Sequence, residues 1–166
     1  MNKREYINTV HEQLQAYGYE PTDTQSDNSI ERLYINKNIE DNWTYVTAVT
    51  EIEEDGVAPV RNASNQAREM IKSQIDLNAG FVNPEANRAF AYLLLLPPSI
   101  SEQMEIYVEE GHNTRDADTV ASTKSWLYPI LVDVEGERIV YRQSKGLKKL
   151  FLNFTLEREV EKLFQI

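Results

Sequence analysis

The chain has 166 residues and contains no cysteine. This absence excludes disulfides, a thiolate nucleophile, iron–sulfur clusters and zinc held by cysteine. It also suits a reducing compartment, and the first residues, MNKREYINTV, lack the apolar core of a secretory signal. We therefore expect a cytoplasmic protein.

Glycine is scarce, with six residues in the whole chain. Loops that cradle phosphates need closely spaced glycines, and the sequence has neither Gly-x-x-x-x-Gly-Lys nor Gly-x-Gly-x-x-Gly. The Gly-x-Ser-x-Gly elbow and the His-Glu-x-x-His zinc motif are missing too. Since no catalytic motif is complete, the sequence favours a protein that is not an enzyme, and we predict no cofactor.

The composition is that of a globular protein, with 41% hydrophobic and 27% charged residues. The length suits one domain over residues 1–166. The apolar spacing predicts an α/β (α+β) fold, with a mixed five-stranded sheet and flanking helices in the order α-β-β-α-β-α-β-β-α. We predict helices over 3–17, 62–79 and 101–110 and in the last 20 residues, strands over 30–36, 43–53 and 88–96, and a hairpin over 126–142.

The least polar stretch is AFAYLLLLPP, residues 89–98. A membrane-spanning helix needs about 20 apolar residues, so this stretch is too short to cross a bilayer and we expect no membrane insertion. It also lacks the alternation of apolar and polar residues that is typical of a strand with one solvent-exposed face. We therefore predict a central strand that is buried on both faces.

Charge is unevenly distributed in a chain whose net charge is −10. Residues 1–140 carry 11 Lys/Arg and 24 Asp/Glu, whereas residues 141–166 carry 6 and 3. Phosphate backbones would repel such a chain, so a nucleic-acid partner is disfavoured. An acidic surface suits solubility, a basic protein partner or mimicry of the charge of DNA.

An acidic cluster gives one candidate site, formed by Asp41, Glu51 and Glu53 together with Glu54 and Asp55. Glu51 and Glu53 are two residues apart on the predicted strand, so we expect them to share a face on which they could hold Mg²⁺. An Asp, then a Glu on the next strand, ahead of a helix, resembles the restriction-endonuclease-like nucleases.

That nuclease pattern places a lysine two residues after the Glu, where this chain has Glu53. Lys72 on the following helix is the substitute that the resemblance would require. The alternative interpretation of the acidic cluster is a solvated strand end.

The polar stretch GHNTRDAD gives the second candidate, with His112 close to Arg115, Asp116 and Asp118. A His–Asp pair can exchange protons near neutral pH. No nucleophile accompanies this pair in a recognisable setting, so a solvated loop is the preferred interpretation.

The third candidate is a basic patch near the carboxyl terminus. Basic and aromatic residues interleaved in this way can contact phosphates, although they also suit the polar face of a helix. Its members are Arg142, Lys145, Lys148 and Lys149.

Three functions follow from these observations. The leading hypothesis is a non-enzymatic, acidic protein–protein interaction module of a bacterial or phage protein, whose closing helices also favour a homodimer. The first alternative is a divergent metal-dependent nuclease or hydrolase that uses Asp41, Glu51, Glu53 and Lys72, with Mg²⁺ at Glu51 and Glu53. The second alternative is an acidic inhibitor that mimics DNA.

Overall fold

The computed structural model describes residues 1–23, 30–38, 43–74, 88–110, 126–142 and 153–166. It confirms the mixed α/β class, with one six-stranded sheet and four helices in these ranges. The helices are α1 (Lys3–Ala16), α2 (Val57–Gln74), α3 (Glu102–Glu110) and α4 (Asn153–Leu163). The strands are β1 (Glu20–Thr22), β2 (Arg32–Asn38), β3 (Trp43–Glu51), β4 (Arg88–Leu96), β5 (Trp126–Asp133) and β6 (Arg138–Tyr141).

The strands lie side by side in chain order. Strands β3, β4 and β5 are parallel to one another, whereas β1, β2 and β6 join as antiparallel neighbours. Helices α2 and α3 are the crossovers between the parallel strands, and both pack on the same face of the sheet. Two crossovers that step in the same direction and share the usual hand must place their helices on one face.

Strand β4 is the centre of the fold, as its leucine run predicts. Leu93 and Leu95 face the core beneath α2 and α3, whereas Leu94 and Leu96 face the core beneath α1 and α4. All four side chains are fully buried. No helix in the described ranges has the length and apolar character needed to cross a membrane.

The sixth strand, β1, is the element that the sequence does not predict. It follows α1 after Gly18, whose φ of +81° allows the tight turn that ends the helix. The strand has only three residues and includes Pro21. Proline is tolerated there because β1 lies at the sheet edge.

Several element boundaries differ from the sequence prediction, and β2, for example, runs over Arg32–Asn38 rather than 30–36. Helix α2 begins at Val57 rather than at residue 62, because Pro59 falls in its first turn, where no backbone N–H is needed. Strand β3 ends at Glu51 rather than at residue 53. Glu51 and Glu53 therefore do not lie on one face of a strand.

Candidate functional site

The carboxyl ends of β3, β4 and β5 meet at one end of the sheet, where the loops that enter α2 and α3 begin. The turn between β5 and β6, the start of β2 and the start of α1 lie at the same end. We call the residues gathered there the carboxyl-end rim. It comprises residues 3–5, 31–32, 51–55, 102–105 and 133–138.

Hydrogen bonds join neighbouring parts of this rim. The Ser99 hydroxyl, from the loop after β4, donates to the Asp55 carboxylate over 3.3 Å. Arg138 at the start of β6 forms an ion pair with Glu105 in the first turn of α3. These two contacts join the loop after β3 to the loop that leads into α3, and α3 to the start of β6.

Glu51 lies at the end of β3 and has the Lys3 ammonium beside it. The Lys3 ammonium donates to the Leu96 carbonyl oxygen over 3.1 Å and lies 3.9 Å from the Glu51 carboxylate. The Glu51 backbone N–H donates to the Glu31 carboxylate over 3.1 Å. Glu51 thus belongs to a polar network that involves α1 and the start of β2, two elements that are distant in sequence.

The structure separates the other predicted metal-site residues. Helix α2 starts at the carboxyl end of β3 and runs back towards the amino end of β4. Lys72 lies fifteen residues along it, which is about 22 Å from its start. There the Lys72 ammonium pairs with Glu69 over 2.7 Å. Lys72 does not accompany Glu51, and Asp41 lies outside the described residues.

Within the described part of the chain, no three His, Asp or Glu side chains converge as a metal site. The second candidate, His112 with Arg115, Asp116 and Asp118, lies outside the described residues, as do Lys145, Lys148 and Lys149. Arg142, the described member of the basic patch, directly follows β6 and is half-buried.

The rim has a strong excess of negative charge. Among the described residues it contains eleven acidic and four basic side chains, a net charge of −7. The acidic members are Glu5, Glu31, Glu51, Glu53, Glu54, Asp55, Glu102, Glu105, Asp133, Glu135 and Glu137. The basic members are Lys3, Arg4, Arg32 and Arg138.

Some rim carboxylates are used to hold the fold. Glu5 completes the amino-terminal capping box of α1 with Asn2. Asp133 accepts a hydrogen bond of 2.8 Å from the Gly136 backbone N–H in the β5–β6 turn. Five further carboxylates are exposed and have no hydrogen bond or ion pair with any described residue: Glu53, Glu54, Glu102, Glu135 and Glu137.

These five carboxylates come from the loop after β3, the start of α3 and the β5–β6 turn, which the fold brings to one end of the sheet. Carboxylates within about 10 Å of one another reinforce a common negative potential at moderate salt. Sequence reasoning found Glu53 and Glu54 through their local density, but it missed Glu102, Glu135 and Glu137. Only the strand order shows that these loops share one end of the sheet.

Comparison of the chain with protein-family models, with curated proteins and with solved structures finds no match.

Proposed function

We propose that this protein is a non-enzymatic interaction module that binds a basic protein surface through its carboxyl-end rim. The observation that carries the proposal is the set of five exposed carboxylates, on two loops and the start of α3, that have no ion pair or hydrogen bond with any described residue. A surface of this kind steers a basic partner and fixes its orientation. We also propose a cytoplasmic location, because a reducing compartment does not favour disulfides and this chain has no cysteine to form them.

Mimicry of DNA charge is a special case of the same proposal, in which the basic partner is a DNA-binding protein. Binding to such a partner weakens steeply with salt and competes with duplex DNA. A partner whose binding does not compete with duplex DNA would support a general interaction module. The homodimer also remains a proposal, which sedimentation of the purified protein at several concentrations would test.

The experiment is capture of partners from a host lysate on the immobilised protein, with quantitative mass spectrometry. The test variant is Glu53→Lys/Glu54→Lys, which reverses two free carboxylates of the rim. The matched control is Glu109→Lys/Glu110→Lys, which reverses two exposed carboxylates at the far end of α3. Both variants change the net charge by the same amount.

The proposal expects a protein that the wild type and the control variant retain equally and that the rim variant loses. A partner that both variants lose equally would show that total charge matters rather than the rim. The proposal would be contradicted if the wild type, the rim variant and the control variant all retained the same partner, or if none of them retained a partner.

A further inference from the structure

The loop between β3 and α2 contains the pair Asp55-Gly56. Asp55 is the one aspartate of the full sequence that precedes a glycine, and no asparagine precedes a glycine. The side-chain carboxyl carbon of Asp55 and the backbone nitrogen of Gly56 can close a five-membered ring, because the chain already holds them close together. Glycine is the residue that hinders this ring closure least, since it has no side chain beside the nitrogen.

The structure leaves this pair accessible. Asp55 is exposed and lies outside the helices and strands. Gly56 has a φ of +113°, which glycine adopts without strain. Apart from its chain neighbours, no described atom lies within 4 Å of the place where a Cβ of residue 56 would stand. Neither a neighbouring element nor a side chain of residue 56 therefore obstructs the approach of the two groups.

One hydrogen bond engages the Asp55 carboxylate. The Ser99 hydroxyl donates to it over 3.3 Å, and this contact is exposed to water. Hydroxyl–carboxylate hydrogen bonds are usually shorter, so this one is weak. Rotation of the Asp55 side chain towards the Gly56 nitrogen therefore costs little free energy.

Asp133 shows the opposite arrangement at the same end of the sheet. Its carboxylate accepts a hydrogen bond of 2.8 Å from the Gly136 backbone N–H. The next residue is Val134, which is buried and whose branched side chain stands beside the backbone nitrogen. Ring closure at Asp133 would break the turn and crowd this valine, so Asp133 is an internal reference for Asp55.

We propose that Asp55 is a site of spontaneous covalent modification, at which aspartate converts to isoaspartate through a cyclic succinimide. The Gly56 nitrogen attacks the side-chain carboxyl carbon of Asp55 and forms a new N–C bond. The hydroxyl of the protonated carboxyl group and the proton of the amide leave together as one water molecule. Water then opens the ring at either carbonyl carbon: opening at the side-chain carbonyl restores aspartate, and opening at the backbone carbonyl gives isoaspartate.

Both products alter the carboxyl-end rim. The succinimide removes the negative charge of Asp55 and with it the carboxylate that accepts the Ser99 hydrogen bond. Isoaspartate restores the charge, but its backbone runs through the former side chain and gains one atom between β3 and α2. The modification therefore changes the length of this loop and the position of its carboxylate.

The test is incubation of the purified full chain at mildly acidic pH, at a temperature where circular dichroism shows that it stays folded. Samples are digested with an endoproteinase that cuts before aspartate but not before isoaspartate, and the peptides are identified by mass spectrometry. The variant is Asp55→Glu, which keeps the charge but requires a less favourable six-membered ring. Wild type unfolded in guanidinium chloride shows how the pair reacts without the fold.

We expect cleavage before Asp55 to be lost progressively in the folded wild type. The uncut peptide should keep the mass expected for an unmodified chain, and a transient species should be lighter by one water. Cleavage before Asp133 should persist throughout, and Asp55→Glu should give no species lighter by one water in this loop.

Unchanged cleavage before Asp55 in the folded chain would overturn the proposal, whether or not the unfolded chain reacts. Equal loss of cleavage at Asp55 and Asp133 would also overturn it, because the local structure would then not select the site. Loss of cleavage with a lasting change of mass would contradict isoaspartate as the product.

Discussion

The Tyr6 hydroxyl donates a hydrogen bond of 2.8 Å to the Phe164 carbonyl oxygen, across 158 residues of sequence. This bond joins α1 to the end of α4, and both groups are buried. The Phe164 ring in turn meets the Tyr92 ring of β4 edge-on, with centroids 5.4 Å apart. The first and last helices thus cover one face of the sheet as a connected layer.

Tyr6→Phe should lower the free energy of unfolding by about 1 kcal/mol, because it leaves the buried Phe164 carbonyl without its donor. Tyr17→Phe is the matched control, since Tyr17 is 43% exposed and keeps its ring beneath Lys162. Urea denaturation of the three proteins measures the difference. Equal losses in both variants would show that the buried hydrogen bond contributes nothing.

Alkaline pH should destabilise the protein through its buried tyrosines. Burial raises the pKa of Tyr6, Tyr19 and Tyr92 above the usual 10, and nearby Glu159 adds to the rise for Tyr19 and Tyr92. Above pH 10 the unfolded chain loses these protons while the folded chain keeps them. Stability is therefore constant with respect to these groups below about pH 10 and falls above it.

Denaturation at a series of alkaline pH values, followed together with tyrosinate absorbance, measures this effect. Tyr92→Phe should give a shallower fall in stability than the wild type, because one buried phenol is gone. An identical pH profile for the two proteins would contradict the assignment.

Leu93→Ala and Leu94→Ala should each cost about 2–5 kcal/mol, because each leaves a cavity in a fully buried core. The two leucines are neighbours on β4 but belong to opposite faces of the sheet. Chemical denaturation of both variants is the measurement. A mild effect in only one variant would mean that one layer of helices does not close over the sheet.

Gly136→Ala should destabilise the β5–β6 turn. A Cβ at position 136 would lie 2.6 Å from the Asp133 carboxylate, whose other oxygen accepts the Gly136 N–H. The Asp133 side chain must move, and the turn loses this hydrogen bond. We expect a loss of about 1–2 kcal/mol.

A double-mutant cycle with Asp133→Ala checks the cause. Without the carboxylate the added methyl has nothing to meet, so Gly136→Ala should cost much less in that background. If the stability losses of Gly136→Ala and Asp133→Ala simply add in the double variant, the contact with the Asp133 carboxylate is not the cause of the loss.

Glu51→Gln distinguishes the interaction module from the nuclease alternative. Its ion pair with Lys3 is long and the Glu51 side chain is 41% exposed, so the loss of stability should be below about 0.5 kcal/mol. Partner capture should persist, because Glu51 is not among the five free carboxylates. Mg²⁺-dependent cleavage of DNA by the wild type that Glu51→Gln abolishes would instead establish the nuclease.

The parts of the fold that sequence predicts are those governed by local periodicity. The leucines of β4 show their two-sided burial directly, and α1 ends at Ala16, one residue before the predicted end. The parts that it misses depend on long-range pairing. Strand β1 has only three residues, including Pro21, and is defined by its antiparallel pairing with Tyr34 and its neighbours on β2.

The candidate site follows the same division. The clustering of the acidic residues Glu53, Glu54 and Asp55 can be seen in the sequence. The ion pair between Glu105 and Arg138 cannot, because it depends on the packing of α3 against β6. The contact between Lys3 and Glu51 could not be predicted from the sequence either. The two residues are 48 positions apart, and no motif links α1 to the end of β3. Glu53 lies beyond the strand, because β3 ends at Glu51.

The most direct test of the rim as the binding surface is zero-length carbodiimide crosslinking of the protein to its captured partner, with the crosslinked carboxylates identified by mass spectrometry. This chemistry joins a carboxylate to a lysine only where the two touch. The account predicts crosslinks from Glu53, Glu54, Glu102, Glu135 and Glu137 to lysines of the partner. Crosslinks confined to Glu109 and Glu110, or to the glutamates of α4, would contradict it.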